Sequence, residues 1–355
     1  MSLYFRSNIA SMTGYIPGEQ PGDEAVAKLN TNENPYPPSP RVLAALRKTT
    51  NQSLRLYPDP LSDSLRKLAA EVYGVRTENI LAGNGSDEIL SMVLRCFVGP
   101  SDRVAFPVPT YSLYETLVRI QDGQQICVQY PADFAIPPEL HSADAAVTFL
   151  CNPNSPSGTL VGLTEIQKLA QAVKGVIVID EAYIDFADDQ GSSAISLIGS
   201  IPNLIVLRTF SKSFSLAGMR IGLALAPAEL IAGMMKVKDS YNLNRLSLVA
   251  ATAALEDLPW MQRNVRRIQQ TRGKLVTGLW HLGFYVYPSQ ANFVMAQIKG
   301  HKQKALYESL RERRIFVRYF DIQALEDSLR ITVGTPREIE SLLQEIAAIQ
   351  NRSAA

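Results

Sequence analysis

"NLIVLRTFSKSFSLAGMRIG", residues 203–222, decides the reading of this chain. Its first half is an apolar, β-branched run of the kind that forms a strand covered on both faces. Lys212 follows at once among Ser211, Ser213 and Phe214, and Arg220 stands eight residues further on. Most lysines are solvated surface charges. One that forms an imine must be desolvated or lie near another cation, because its ordinary pKa of about 10.4 leaves little neutral amine. A strand-end lysine followed by an arginine able to grip a phosphate with two nitrogens suits a cofactor seat.

Working outward, "DRVAFPVPTY", "QQICVQYP", "AAVTFLCNP" and "GVIVIDEAY" also read as short strands, several apolar throughout. Helical spacing appears in "RVLAALRKT" and in "LSDSLRKLAAEVYG", the latter closed by Gly74, while "NILAGNGSDEILSMVLRCFVGP" reads strand, glycine turn, helix. Strands separated by helices predict an α/β fold with a mostly parallel sheet and helices on both faces. Residues 1–40, rich in Pro, Gly and Asn, read as an extended arm, and residues 41–240 as the large domain. Residues 241–355 read as a smaller α+β domain: helices over "LSLVAATAALED" and "LPWMQRNVRRIQQTRGKLVTGLWHLG", then strands in "FYVYPSQANFVMAQI", "IFVRYF" and "SLRITVG" around the helix "HKQKALYESLRERR". A final helix is predicted from Pro336 to Gln350.

Composition narrows the function. The 355 residues are 46% hydrophobic and carry 35 Lys+Arg against 34 Asp+Glu, a net charge of +1. No basic block points to nucleic acid or to an anionic membrane, so any bound anion is held by a few placed groups. Cys96, Cys127 and Cys151 are scattered and odd in number, which predicts no disulfide framework and a reducing compartment. His141, His281 and His301 lack metal-site spacing, so no metal is expected. The N-terminus has no apolar core of signal-peptide type, and the apolar stretch Ile221–Met235 is interrupted by Pro227 and Glu229. A cytoplasmic protein is expected.

Four strand ends carry chemistry, at the place where open α/β sheets bind ligands. In "AGNGSDEIL", Gly83 and Gly85 permit a tight turn and Ser86 can start the next helix, whose free N–H groups face an anion or serve only a plain glycine turn. It is neither a dinucleotide fingerprint nor a P-loop. In "VIVIDEAY", Asp180 ends an apolar run, where a carboxylate either caps the next turn or holds a proton on a heterocyclic nitrogen. "FLCNPNSPSG" offers Asn154 and Ser155 as side-chain donors in a stiff turn, though in isolation such a turn is more often a plain loop. The fourth is Lys212 with Arg220.

In order and spacing these pieces resemble the fold-type I pyridoxal-phosphate aminotransferases nearly end to end, and within them the histidinol-phosphate branch. The residues that carry the resemblance are "LNTNENPYPPSP", "LYPDP", "GNGSDE", "PTYSLY", "CNPNSPSG", "DEAYIDF", "RTFSKSFSLAGMRIG" and "SLRITVGTPRE". The resemblance implies a seven-stranded large-domain sheet and pyridoxal 5'-phosphate held covalently by Lys212. Asp180 would pair with the ring nitrogen, Tyr183 would bond the phenolic oxygen and Tyr111 would stack on the ring. The phosphate would sit near Gly85 on the N–H groups of Ser86 and Asp87, with Ser211 and Arg220. Tyr57 would reach the neighbouring subunit's site in a homodimer. The usual Asn-Asn-Pro-Thr-Gly turn is here Asn154-Ser155-Pro156-Ser157-Gly158, so the phenolic-oxygen contact falls to Ser155 by register or to Asn154 by compensation.

On the substrate side, Arg330 in "SLRITVG" and Arg318 in "IFVRYF" match anion-binding arginines, and Tyr15 matches a tyrosine that closes the pocket. Taken alone, each arginine is more often a solvated strand residue. A guanidinium fork suits both a carboxylate and a phosphate. The implied activity is ping-pong transamination between glutamate/2-oxoglutarate and imidazole acetol phosphate/histidinol phosphate, in histidine biosynthesis. An aromatic amino-acid aminotransferase and a phosphothreonine decarboxylase share the same seat. So does a PLP-binding regulator, for whose DNA-binding module neither terminus leaves room.

Overall fold

β-Branched runs build the centre of the molecule. The computed structural model describes residues 4–15, 18–22, 26–189 and 191–354. In chain order the strands are β1 (Ala27–Lys28), β2 (Ile80–Gly83), β3 (Arg103–Val108), β4 (Gln124–Gln129), β5 (Val147–Cys151), β6 (Val176–Asp180), β7 (Leu204–Thr209), β8 (Gly222–Leu225), β9 (Tyr285–Val286), β10 (Phe293–Gln297), β11 (Ile315–Phe316), β12 (Arg318–Tyr319) and β13 (Ser328–Thr332). Seven form one sheet in the order β2-β8-β7-β6-β5-β3-β4. Its pairs from β7 through to β4 are parallel, and β8 runs antiparallel to both β7 and β2.

β5, β6 and β7 are buried along their whole length, as strands covered on both faces must be. Along β6, Ile177 and Ile179 enter one apolar cluster while Val176 and Val178 enter the other. β7 splits likewise, with Leu204 and Val206 on one side and Ile205 and Leu207 on the opposite side. The two-residue period thus builds two cores, one on each face. The apolar stretch Ile221–Met235 resolves into β8 and the helix Ala228–Met235, divided at Pro227.

A second sheet, β12-β13-β10-β9, is antiparallel. It packs with the helices Leu258–His281, Lys304–Glu312 and Pro336–Ala354 around Leu275, Leu279, Phe293, Ile331, Leu342 and Ile346. The arm is extended but joined to this unit: β1 pairs in parallel with β11, and Ala27, Leu29 and Tyr36 enter its core. The helix Arg245–Leu255 buries Ala250, Ala251, Ala254 and Leu255 in the core of the large sheet. We therefore propose that the boundary between the two units falls near Asp257, where the helix Leu258–His281 begins, and not at residue 240. Among the described residues, no helix is long and apolar enough to cross a membrane.

Candidate active site

The ends of β5, β6 and β7 open onto a cleft of about 270 Å³ that the β12–β13 hairpin and the arm complete. Lys212, Asp180, Tyr183, Ser86, Asp87, Tyr111, Ser155, Ser211, Arg220, Arg318, Arg330 and Tyr15 all line it. Gly85, Asn154 and Tyr57 do not.

Asp180 ends β6 on the face that carries Val178, and is 3% exposed. Oδ2 accepts from Tyr114 Oη at 3.0 Å and Oδ1 from the Ala182 N–H at 3.2 Å. Among the described residues no cation lies within ion-pair distance of it. Burial raises its pKa from 3.8 to about 6, against the pull of those two donors. Lys212 lies three residues past β7, its Nζ 3.3 Å from the Thr31 carbonyl and 5.7 Å from the centre of the Tyr183 ring. Burial, helped by the charge of Arg330, lowers its pKa from 10.5 to about 8. Its loop is held behind the cleft, where Asn34 Nδ2 donates to the Lys212 carbonyl at 3.0 Å and Ser213 Oγ to Asp185. Asp185 and Glu181 share the buried Arg208.

At one end of the cleft the helix Ser86–Phe97 begins after Gly85, whose φ is 82°. A Cβ there would meet Arg220 Nη2 at 2.6 Å, so glycine admits the arginine. Gly222 does the same for the backbone, since its Cβ would stand 2.6 Å from the Ser86 nitrogen. Arg220 pairs with Asp87 at 2.9 Å and reaches Ser211 Oγ at 3.5 Å. Tyr111 Oη donates to Asp87 Oδ1 at 3.1 Å.

At the other end Arg318 and Arg330 face each other across β12 and β13. Arg330 donates from Nη1 to Ser155 Oγ at 3.1 Å and from Nη2 to the Asn30 carbonyl at 2.8 Å, while its buried Nε has no partner among the described residues. Both guanidinium groups lie over Phe320, at 5.3 and 5.5 Å from the ring centre. Burial lowers the Arg330 pKa, and Arg318 lowers it further. Neither arginine is in an ion pair among the described residues. Tyr15, 40% exposed, meets Tyr111 edge-on at 6.3 Å, over the mouth.

Asn154 lies behind the cleft wall. Its Nδ2 donates to Ser157 Oγ at 2.9 Å and to the Pro109 carbonyl, and its Oδ1 accepts from Thr110. Of Asn154 and Ser155, it is therefore Ser155 that faces the cavity. Tyr57 is 76% exposed and stacked on Tyr241 at 4.5 Å, outside the cleft. Tyr114, Asn32, Gly222 and Phe320 belong to the site but were not singled out from sequence. Tyr114 alone had a local signal, one helical turn after Tyr111 in "PTYSLY".

A lysine with a depressed pKa, a helix start with Arg220 beside it, and a buried acid and an arginine that lack ion-pair partners among the described residues suit one kind of ligand. It has a reactive carbonyl, a basic ring nitrogen and a phosphate, which pyridoxal phosphate combines. The class so defined is the fold-type I pyridoxal-phosphate enzymes. The chain belongs to the "Aminotransferase class I and II" family, whose pattern matches residues 24–346. It is 44% identical over 348 residues to "Histidinol-phosphate aminotransferase 1" of Nostoc sp., covering 98% of each chain. It is 43% identical to "Histidinol-phosphate aminotransferase" of Citrifermentans bemidjiense, covering 97% of this chain and 98% of that one. Among solved structures it superposes with TM-score 0.90 on histidinol-phosphate aminotransferase from Sinorhizobium meliloti in complex with pyridoxal-5'-phosphate. That pair is 26% identical, with 98% and 99% of the two chains covered.

Proposed function

We propose that this chain is a pyridoxal-phosphate transaminase that exchanges the amino group between glutamate/2-oxoglutarate and histidinol phosphate/imidazole acetol phosphate, in histidine biosynthesis. The observation that carries the substrate side is the cross-strand pair Arg318 and Arg330, without counter-ions among the described residues, at the end of the cleft away from the Ser86 helix. A planar guanidinium accepts a carboxylate or a phosphate in the same fork. One seat then serves the α-carboxylate of glutamate and the phosphate of the amino alcohol in turn.

Pyridoxal phosphate, when bound, supplies an electron sink for the charge that develops at the substrate's α-carbon. Lys212 would hold it, and its Nζ, whose pKa burial lowers to about 8, would be the base at that carbon. Asp180 keeps the ring nitrogen protonated, and Tyr114 and Ala182 hold the acid in place. Tyr183 and Ser155 donate toward the phenolic oxygen, and Tyr111 covers the ring. Ser86, Asp87, Ser211 and Arg220 hold the phosphate. Tyr15 excludes water from the mouth.

A homodimer is part of this reading. Leu54, Leu56, Tyr57, Leu61 and Tyr241 expose large apolar side chains. A second copy would cover them and receive Tyr57 at its phosphate site. The three cysteines are free thiols, which suits the cytoplasm. A panel of histidinol phosphate, phenylalanine and phosphothreonine tests the assignment: amino transfer fastest with histidinol phosphate is expected. Faster turnover of phenylalanine, or loss of CO₂ from phosphothreonine, would overturn it.

A further inference from the structure

Asn32 stands in the cleft wall, 1% exposed, with φ 56°. The direction of its hydrogen bonds follows one proton at a time. The Asn32 backbone N–H lies 3.0 Å from Thr332 Oγ1, so that hydroxyl accepts there. The single Thr332 proton points at the Asn32 side chain, also at 3.0 Å. The atom that receives it is Oδ1. Nδ2 is thereby turned to the other side, 3.1 Å from Tyr183 Oη. An amide nitrogen only donates, so Tyr183 Oη accepts and its own proton must leave in another direction. Asn292 Nδ2 donates to the Asn32 carbonyl at 3.0 Å and fixes the backbone that carries this arrangement.

We propose that Asn32, oriented by Thr332, is a positioning residue that makes the Tyr183 hydroxyl a one-way donor into the cleft. The inference rests on the reading that Tyr183 faces the phenolic oxygen of the cofactor. A donor aimed at that oxygen draws negative charge from it, so the nitrogen joining Lys212 to the cofactor holds its proton less tightly. The arm and β13 thereby tune a group held on the loop after β7. The charged groups around Tyr183 and Lys212 are Arg330 on β13, Asp180 on β6, Glu33 on the arm, Asp87 at its helix start and Arg220 before β8, and the buried Cys151 thiol on β5 is titratable but held neutral. Replacing the neutral Asn32 amide changes the charge of none of them.

The test is a pH titration of the visible absorbance of the holoenzyme. The set is wild type, Asn32→Gly, Thr332→Val, Thr332→Ser, Tyr183→Phe and the double Asn32→Gly/Tyr183→Phe. Glycine is the replacement at 32 because it tolerates the positive φ, and thermal melts check that each variant folds. Tyr183→Phe and Asn32→Gly should each raise the midpoint, by roughly half to one pH unit, the equivalent of one net hydrogen bond. Thr332→Val should raise it less, Thr332→Ser should restore it, and the double variant should match Tyr183→Phe alone. If Tyr183→Phe moves the midpoint and Asn32→Gly does not, the inference fails. It fails equally if Asn32→Gly moves it by the same amount in both backgrounds. A midpoint unmoved by Tyr183→Phe removes the placement of Tyr183 itself, and the inference with it.

Discussion

On the wall built from β6, β7 and the Ser86 helix, the acids Asp180 and Asp87 each meet donors from the protein, and Asp87 meets a cation as well. On the wall built from β12 and β13, among the described residues, Arg330 meets neutral oxygens and aromatic faces and Arg318 an aromatic face, and neither meets an acid. The first wall is organised before any substrate arrives, as befits a group that stays through the reaction cycle. The second has an unmet demand for anionic charge, which a passing carboxylate or phosphate can satisfy and then release. A resident cofactor and an exchanging substrate thus call for opposite electrostatics a few side chains apart.

The contrast breaks most visibly at Arg330. Truncating one member of a desolvated charge pair costs about 2–5 kcal/mol. Arg330→Ala should therefore lower kcat/KM for both glutamate and histidinol phosphate by a factor on the order of 10²–10³. Cofactor affinity, measured by fluorescence titration, should stay within about threefold of wild type, the allowance for a kcal/mol-scale indirect effect. A comparable loss of cofactor binding would erase the distinction between the walls.

Asp180 sharpens the comparison through stability. Its pKa is raised on folding, so the cost of burying its charge is full above about pH 6 and fades as pH falls toward 3.8. Asp180→Asn should make the cofactor-free protein more stable at pH 7, by up to about 3 kcal/mol, with most of that gain gone at pH 4. Denaturant melts at the two pH values read this directly. An unchanged or lowered stability at pH 7 would mean that the acid is better solvated or paired than its surroundings indicate.

Lys212 gives a third handle. Burial depresses its pKa, and only the neutral amine attacks a carbonyl. Capture of added pyridoxal phosphate by the cofactor-free protein should rise about tenfold per pH unit below pH 8 and level off above it, by stopped-flow absorbance. A rise that continues to pH 10 would show an amine in ordinary solvent. The smallest effect is expected at Tyr57. If it completes the phosphate seat of a partner, Tyr57→Phe should weaken cofactor binding by about tenfold, one hydrogen bond to a charged group. Sedimentation should show a dimer.

Much of the first wall was legible because its signals are local. Asp180 and Lys212 each follow an apolar β-branched run, and Gly85 precedes a helix whose first turn is polar. The second wall was legible only through resemblance, since Arg318 and Arg330 sit in strands that periodicity alone would give to solvent. What sequence missed is held by distant contacts. Tyr114 supports Asp180 from 66 residues away, and Asn32 meets Tyr183 across 151. The reversed strand β8 was hidden because a strand's direction is set by its neighbours, not by its composition. The helix Arg245–Leu255 reads in sequence with the C-terminal unit, and our proposed boundary moves it for a similar reason: its small, apolar surface fits either core, and only packing chooses.

The central claim is that the Lys212 amine is the covalent anchor. Borohydride reduction of the holoenzyme, followed by digestion and mass spectrometry, should place the whole pyridoxyl adduct on the peptide containing Lys212, and Lys212→Ala should yield none. An adduct on another lysine, or one that survives in Lys212→Ala, would contradict the account.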